Sequence, residues 1–160
     1  MNDTGFFVPK DKLDRFATNY YRDPRTRKSG IMDVGDETSS YARAPRFLSG
    51  GGGLTSTIAD YWRFCQMLLN GGELEGVRLC SPKTIEFMTM NHLPGGQTMK
   101  QMSISAFSEL AAEGAGFGLG FQVLLDPAES QAIGSVGNFS WGGAASTYFW
   151  IDPEEGLIAI

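Results

Sequence analysis

The chain has 160 residues, enough for one modest domain that buries about 70% of the surface its unfolded form exposes and too few for two independent cores. Hydrophobic residues at 42% and charged residues at 19% exclude a disordered chain. Thirteen Lys and Arg against eighteen Asp and Glu leave a net charge of -5, which argues against a nucleic-acid partner, whose phosphates need a basic face.

In chain order, Val8-Pro9 leads into a short helix expected over residues 11–18, with Leu13, Phe16 and Ala17 on one side. The basic, turn-rich stretch of residues 22–30 reads as a solvated loop in preference to a phosphate site, because the charge run is short. Residues 31–47 show no period and are expected to form a long loop, of the kind that serves as a lid or binding loop or is disordered. Gly50-Gly51-Gly52-Gly53 is followed by Leu54 and is no phosphate loop, which needs Lys and then Ser or Thr there. It reads as a tight passage into the next helix.

That helix is the clearest local signal. Thr57 and Asp60 have capping-box spacing, and Ile58, Tyr61, Trp62, Cys65, Leu68 and Leu69 recur at helical steps. Asn70-Gly71-Gly72 supplies a left-handed stop. A second helix is predicted from Ser81-Pro82 to near Asn91. Further on, residues 118–125 read as one strand closed by Asp126-Pro127. Residues 140–151 read as another, apolar on both faces and therefore central and covered on both sides. Asp152-Pro153-Glu154-Glu155-Gly156 then forms a hairpin loop into a return strand over residues 157–160. Helices followed by antiparallel strands give an α+β fold. Two helices and two or three strands cannot cover both faces of such a sheet, so the fold is expected to be incomplete.

No apolar run approaches the roughly 20 residues of a membrane span. The start lacks the basic and apolar regions of a signal peptide. Cys65 and Cys80 make no disulfide framework and are expected to be reduced and partly buried. His92 is the only histidine, which rules out a His-rich metal site, and no motif gives it a catalytic role. No Ser has a Lys three residues later, Ser81 and Lys83 having the wrong spacing, and no Gly-x-Ser-x-Gly elbow occurs. By spacing, therefore, nothing in the chain forms a complete catalytic constellation. One segment still has the marks of a site. Trp141-Gly142-Gly143-Ala144 places two glycines in an otherwise bulky strand, either for a packing bulge or for close approach of a ligand to an exposed N–H able to stabilise an oxyanion.

The segments Gly52-Gly53-Leu54-Thr55-Ser56-Thr57-Ile58-Ala59-Asp60-Tyr61-Trp62-Arg63-Phe64, Met67-Leu68-Leu69-Asn70-Gly71-Gly72, Leu79-Cys80-Ser81-Pro82-Lys83-Thr84 and Gly116-Phe117-Gly118-Leu119-Gly120-Phe121, with residues 141–153, follow a recognisable order. Together they resemble the serine β-lactamase family, in its branch of class C β-lactamases, family VIII esterases and D-alanyl-D-alanine carboxypeptidases. Met1-Asn2-Asp3-Thr4 is similar to the end of that family's Leu-Gly-Met-x-x-Thr stretch.

The resemblance implies a C-terminal segment of one β-lactamase-like domain, α+β and incomplete at both ends. Residues 1–48 would be a loop-rich cleft region, 49–92 two helices and 116–160 the antiparallel strands. It implies a serine hydrolase working through an acyl-enzyme on a small-molecule ester, amide or β-lactam, with no cofactor. The family's Ser-x-x-Lys and Tyr-x-Asn motifs are not in this chain, so the chain alone is expected to be inactive. Trp141-Gly142-Gly143 falls where the third motif, Lys-Thr-Gly or Trp-Gly-Gly, would lie. By the same carry-over Ala144 offers its backbone N–H as an oxyanion donor, and Trp141, Gly142 and Gly143 contact substrate. Trp in place of Lys removes a cation that would hold a β-lactam carboxylate, which favours a neutral acyl substrate. An uncovered sheet is also expected to self-associate. The other function class is a non-catalytic binding module, or a relic, built on the same scaffold.

Overall fold

In the computed structural model, which describes residues 1–102 and 112–160, the chain forms two units, Met1–Tyr61 and Trp62–Ile160. The first unit is mostly irregular. Its expected helix over residues 11–18 is instead a 3-10 helix over Lys10–Arg15, because the Phe16 N–H reaches back three residues to the Leu13 carbonyl before the chain turns extended.

Two strands follow, β1 (Asn19–Arg22) and β2 (Ser29–Asp33), paired antiparallel. The long loop expected over residues 31–47 therefore begins inside a strand. The signal is missing because most side chains on both strands are exposed, so no buried face imposes alternation. The basic stretch is the hairpin tip. The Asp23 carboxylate accepts the Arg25 and Thr26 N–H groups, and Arg22, Arg25, Arg27 and Lys28 lie exposed, as a solvated loop requires.

Helix α1 (Ile58–Leu69) starts where Thr57 Oγ1 accepts the Asp60 N–H at 3.2 Å. Only this half of the capping box forms. The buried Asp60 carboxylate takes the N–H groups of Asn2 and Asp3 and the Thr4 hydroxyl instead, tying the start of the chain to the helix. Burial opposes the Asp60 charge, but these donors outweigh it and hold its pKa below the ordinary value. A pair of backbone bonds between Gly5 and Thr55 closes the same seam.

In the second unit, Cys65, Met67 and Leu68 form the buried face of α1, while Trp62 is exposed, as is Ile58 at the helix start in the first unit, so the apolar stripe is only partly used. After α1 come the short hairpin β3 (Glu73–Leu74) and β4 (Val77–Arg78) and helix α2 (Pro82–Met88). Ser81 caps α2, its hydroxyl accepting the Thr84 N–H, and the helix stops three residues short of Asn91. Helix α3 (Met99–Met102) leads to a five-stranded antiparallel meander, interrupted by helix α4 (Pro127–Ser130).

The meander runs β5 (Ala115–Phe117), β6 (Gln122–Leu124), β7 (Phe139–Gly142), β8 (Tyr148–Asp152) and β9 (Leu157–Ala159), each paired with the next. The strand read over residues 140–151 is divided by a turn into β7 and β8, and the one read over residues 118–125 shortens to β6, its first four residues being a turn. Residues 118–121 turn the chain between β5 and β6, and residues 143–147 between β7 and β8. Apolar character runs through both turns, so composition alone shows no break. β7 is central, as expected, and both of its faces are buried at its start, where Phe139 and Ser140 are 2% and 4% exposed, while the cover ends at the exposed Gly142. Phe139, Phe149, Ile151 and Val123 are buried, whereas Tyr148 on the other face is 58% exposed. Each buried Phe, Ile or Val side chain contributes roughly 1.5–3 kcal/mol, so this face is the main stabilising layer of the unit.

The β8–β9 turn depends on one carboxylate. Asp152, 1% exposed, accepts the Glu154 and Glu155 N–H groups through Oδ1 and the Ser135 N–H through Oδ2. Burial works against its charge, but these bonds outweigh it and hold the pKa below the ordinary carboxylate value. A lowered folded-state pKa gives stability that is present above the unfolded pKa, about 3.9, and lost as pH falls through the folded value. Asp152→Ala is expected to cost about 2–4 kcal/mol at neutral pH, because three backbone donors lose a charged acceptor. The variant should also lose part of the wild type's decline in stability below about pH 4. Urea titrations at pH 7 and pH 3 check both.

Candidate functional site

The glycine pair lies where β7 leaves the sheet. β6 pairs with β7 only at Gln122–Ser140 and Val123–Phe139, so from Trp141 onward β7 has a partner on one side, β8. The Gly143 N–H donates to the Thr147 carbonyl at 2.8 Å, and the Ser146 N–H to the Gly143 carbonyl at 3.0 Å. Ser146 has φ 61°, the left-handed residue that ends a three-residue hairpin loop. Backbone groups alternate in direction along a strand. With Gly143 bonded towards β8, the backbone of Gly142 faces the open side that β6 does not reach. Ala144, first of the three loop residues, is exposed, and among the described residues no acceptor meets its N–H.

Gly143 has a local steric reason as well. A Cβ there would lie 2.5 Å from the Thr147 hydroxyl. The packing explanation therefore accounts for glycine at this position.

Trp141 is half-buried, and its ring meets Phe117 edge-on at 4.9 Å between centroids. Behind this pair Phe121 contacts Phe139 at 5.1 Å and Phe149 at 6.0 Å, so an aromatic row runs from the core to the surface at Trp141. Phe117 is fixed by its backbone. Asn91 Oδ1 accepts the Phe117 N–H at 3.2 Å and the Leu93 N–H at 3.1 Å, and Asn91 Nδ2 donates to the Gln97 carbonyl. The His92 N–H donates to the Phe117 carbonyl at 2.9 Å. Sequence reasoning used Asn91 only as a helix end and gave Phe117 no role. The sole clue was an amide side chain directly after a helix, a common place for one that bonds to backbone.

The remaining candidates are structural. His92 Nε2 lies 2.7 Å from the Phe87 carbonyl, so that nitrogen carries the proton and serves as a donor. Lys83 pairs with Glu86, and Ser81 is a helix cap, so the two make no nucleophile site. Cys65 and Cys80 are free, and burial pushes the Cys65 thiol up to about 11, which keeps it protonated and unreactive at neutral pH. Among the described residues no group of three His, Cys, Asp or Glu could hold a metal ion, and no helix is long and apolar enough to cross a membrane.

Charge is distributed unevenly over the sheet. Residues 101–160 contain no Lys, Arg or His, and residues 115–125 and 131–151 contain no charged side chain at all. Asp152, the last residue of β8, and Asp126, Glu154 and Glu155, beyond the strand ends, lie at the end of the sheet nearest Phe139, away from Trp141. The end of the sheet holding Trp141-Gly142-Gly143-Ala144 is built only from uncharged residues.

Comparison with known proteins agrees with this architecture. The Beta-lactamase family model matches residues 1–160. Protein Rv1367c of Mycobacterium tuberculosis is 38% identical over 164 residues, an alignment covering all of this chain and 39% of that protein. Among solved structures, EstCE1, a hydrolase with promiscuous acyltransferase activity, superposes with a TM-score of 0.70 at 22% identity, covering 98% of this chain and 40% of that one. Unliganded simvastatin synthase (LovD) from Aspergillus terreus superposes with a TM-score of 0.72 at 23% identity, covering 98% and 39%. At these identities the two structures speak to fold alone. The chain spans about two fifths of the length of the proteins it matches, and its helices and antiparallel sheet are part of their common fold. The chain belongs to the Beta-lactamase family.

Proposed function

We propose that the chain supplies the third-motif strand of a serine hydrolase of esterase or β-lactamase type that works through an acyl-enzyme. In this reading the Ala144 N–H is one of two oxyanion donors, and Trp141, Gly142 and Gly143 line the substrate. The observation that carries it is the exposed Ala144 N–H, free of any acceptor among the described residues, at the point where β7 loses its β6 neighbour. A tetrahedral intermediate needs such a donor held in place before the charge develops. Family membership supports a hydrolase scaffold, and one fold neighbour is named as a hydrolase with acyltransferase activity. In this reading the nucleophile and its base lie outside these 160 residues, which hold no Ser-x-x-Lys and no Tyr-x-Asn.

The natural gene product is expected to hydrolyse p-nitrophenyl butyrate faster than a chromogenic cephalosporin, because no cation of the strand receives the carboxylate. The 160-residue chain alone is expected to remain at background. Absence of turnover by the natural gene product on both substrates would replace this reading with the binding module. Turnover by the 160-residue chain would place the nucleophile within it.

A further inference from the structure

We propose that Phe117 and Asn91 set the acyl-group specificity of this site, Asn91 by fixing Phe117 and Phe117 by holding the Trp141 ring as a wall for an uncharged, apolar acyl group. The inference rests on the hydrolase reading above and adds the substrate class to it.

Trp141 lies three residues before Ala144, where β7 has lost its β6 neighbour, so it belongs to the same end of the sheet as the proposed oxyanion donor. Trp141 is half-buried, so part of the residue remains open to solvent. Its edge-on partner, Phe117, comes from a different strand and cannot drift. Asn91 Oδ1 holds the Phe117 N–H and the His92 N–H holds its carbonyl, so both backbone groups of Phe117 are tied to the segment after α2. Asn91 is itself braced by Leu93 and Gln97.

Charge decides which acyl group fits. The strand segments around the site carry no ionised side chain, and the cation nearest in sequence before the sheet, Lys100, is paired with Glu113. Two further groups belong to the segments flanking Asn91. The Lys83 ammonium is paired with Glu86, and the His92 ring is engaged by Phe87. A carboxylate on the acyl group would give up its hydration against two aromatic rings with no counter-charge, whereas an alkyl or aryl group gains by the same burial.

The test compares p-nitrophenyl butyrate with mono-p-nitrophenyl succinate on the natural gene product. The wild type is expected to favour the butyrate by about 100-fold in kcat/KM. Phe117→Ala should reduce that preference to about tenfold, chiefly through a higher KM for the butyrate, with kcat changed less than about threefold. Asn91→Ala, acting through Phe117, should move the preference the same way, and Phe117→Tyr, which keeps the ring, should retain it. If Phe117→Ala does not fold, Phe117→Leu carries the comparison. Equal hydrolysis of the two esters by the wild type, or an unchanged preference on removal of the ring, would overturn this inference and leave the hydrolase reading standing. A wild type that hydrolyses neither ester would overturn this inference, and the hydrolase reading falls with it when the chromogenic cephalosporin is not turned over either.

Discussion

Replacing Ala144 with proline is expected to lower kcat of the natural gene product by about 10²–10³-fold, the loss seen when one oxyanion donor is removed. The substitution isolates that donor. Ala144 follows the residue whose carbonyl accepts the Ser146 N–H, so it occupies the second position of a turn, where proline is favoured. Proline removes one N–H, and among the described residues no acceptor uses it. The preceding residue is Gly143, and its N–H bond to Thr147 is left in place. Ala144→Ser retains the N–H and should keep kcat within about threefold of wild type. Thermal melting separates lost chemistry from lost fold. A folded Ala144→Pro enzyme with wild-type kcat would remove Ala144 from the oxyanion hole.

The largest stability effect is expected at Gly72. Helix α1 ends in a Schellman motif, with the Gly71 N–H bonded to the Leu68 carbonyl and the Gly72 N–H to the Met67 carbonyl. Gly72 has φ 95°, and a Cβ on it would stand 2.2 Å from the Cys80 carbonyl oxygen, a backbone atom that is itself held in place. The Gly72 carbonyl in turn accepts the Leu79 and Cys80 N–H groups, so the residue joins the helix end to the segment leading into α2. Strain and clash add, and Gly72→Ala should cost about 3–5 kcal/mol. Gly71→Ala is the control. Its φ is 69°, but the nearest atom to a new Cβ is Pro82 Cβ at 3.5 Å, ordinary contact, so about 1 kcal/mol is expected. Urea midpoints of the two variants give the comparison, and equal losses would contradict the close-approach argument.

These examples also show which parts of the protein were legible in the sequence. The Asn70-Gly71-Gly72 stop and the Ser81-Pro82 start are local chemistry, and both form where the residues indicate. The Asp152 loop and its return strand follow for the same reason. Strand number was harder to read. The turns at residues 118–121 and 143–147 hold apolar residues and glycines, so an alternating apolar run passes through two hairpins without a polar break. β1 and β2 were invisible because neither strand has a buried face to impose a period. At the proposed site, Gly142 and Gly143 stand out in the sequence as small residues in a bulky strand. The Asn91–Phe117 bond did not, since its partners are 26 residues apart and only the fold brings them together.

The acyl-enzyme claim is tested most directly by treating the natural gene product with a fluorophosphonate and mapping the labelled peptide. One modified serine is expected, in a Ser-x-x-Lys sequence, with every serine of the present 160 residues unmodified. Label on a serine within these residues, or ester turnover with no serine labelled, would contradict it.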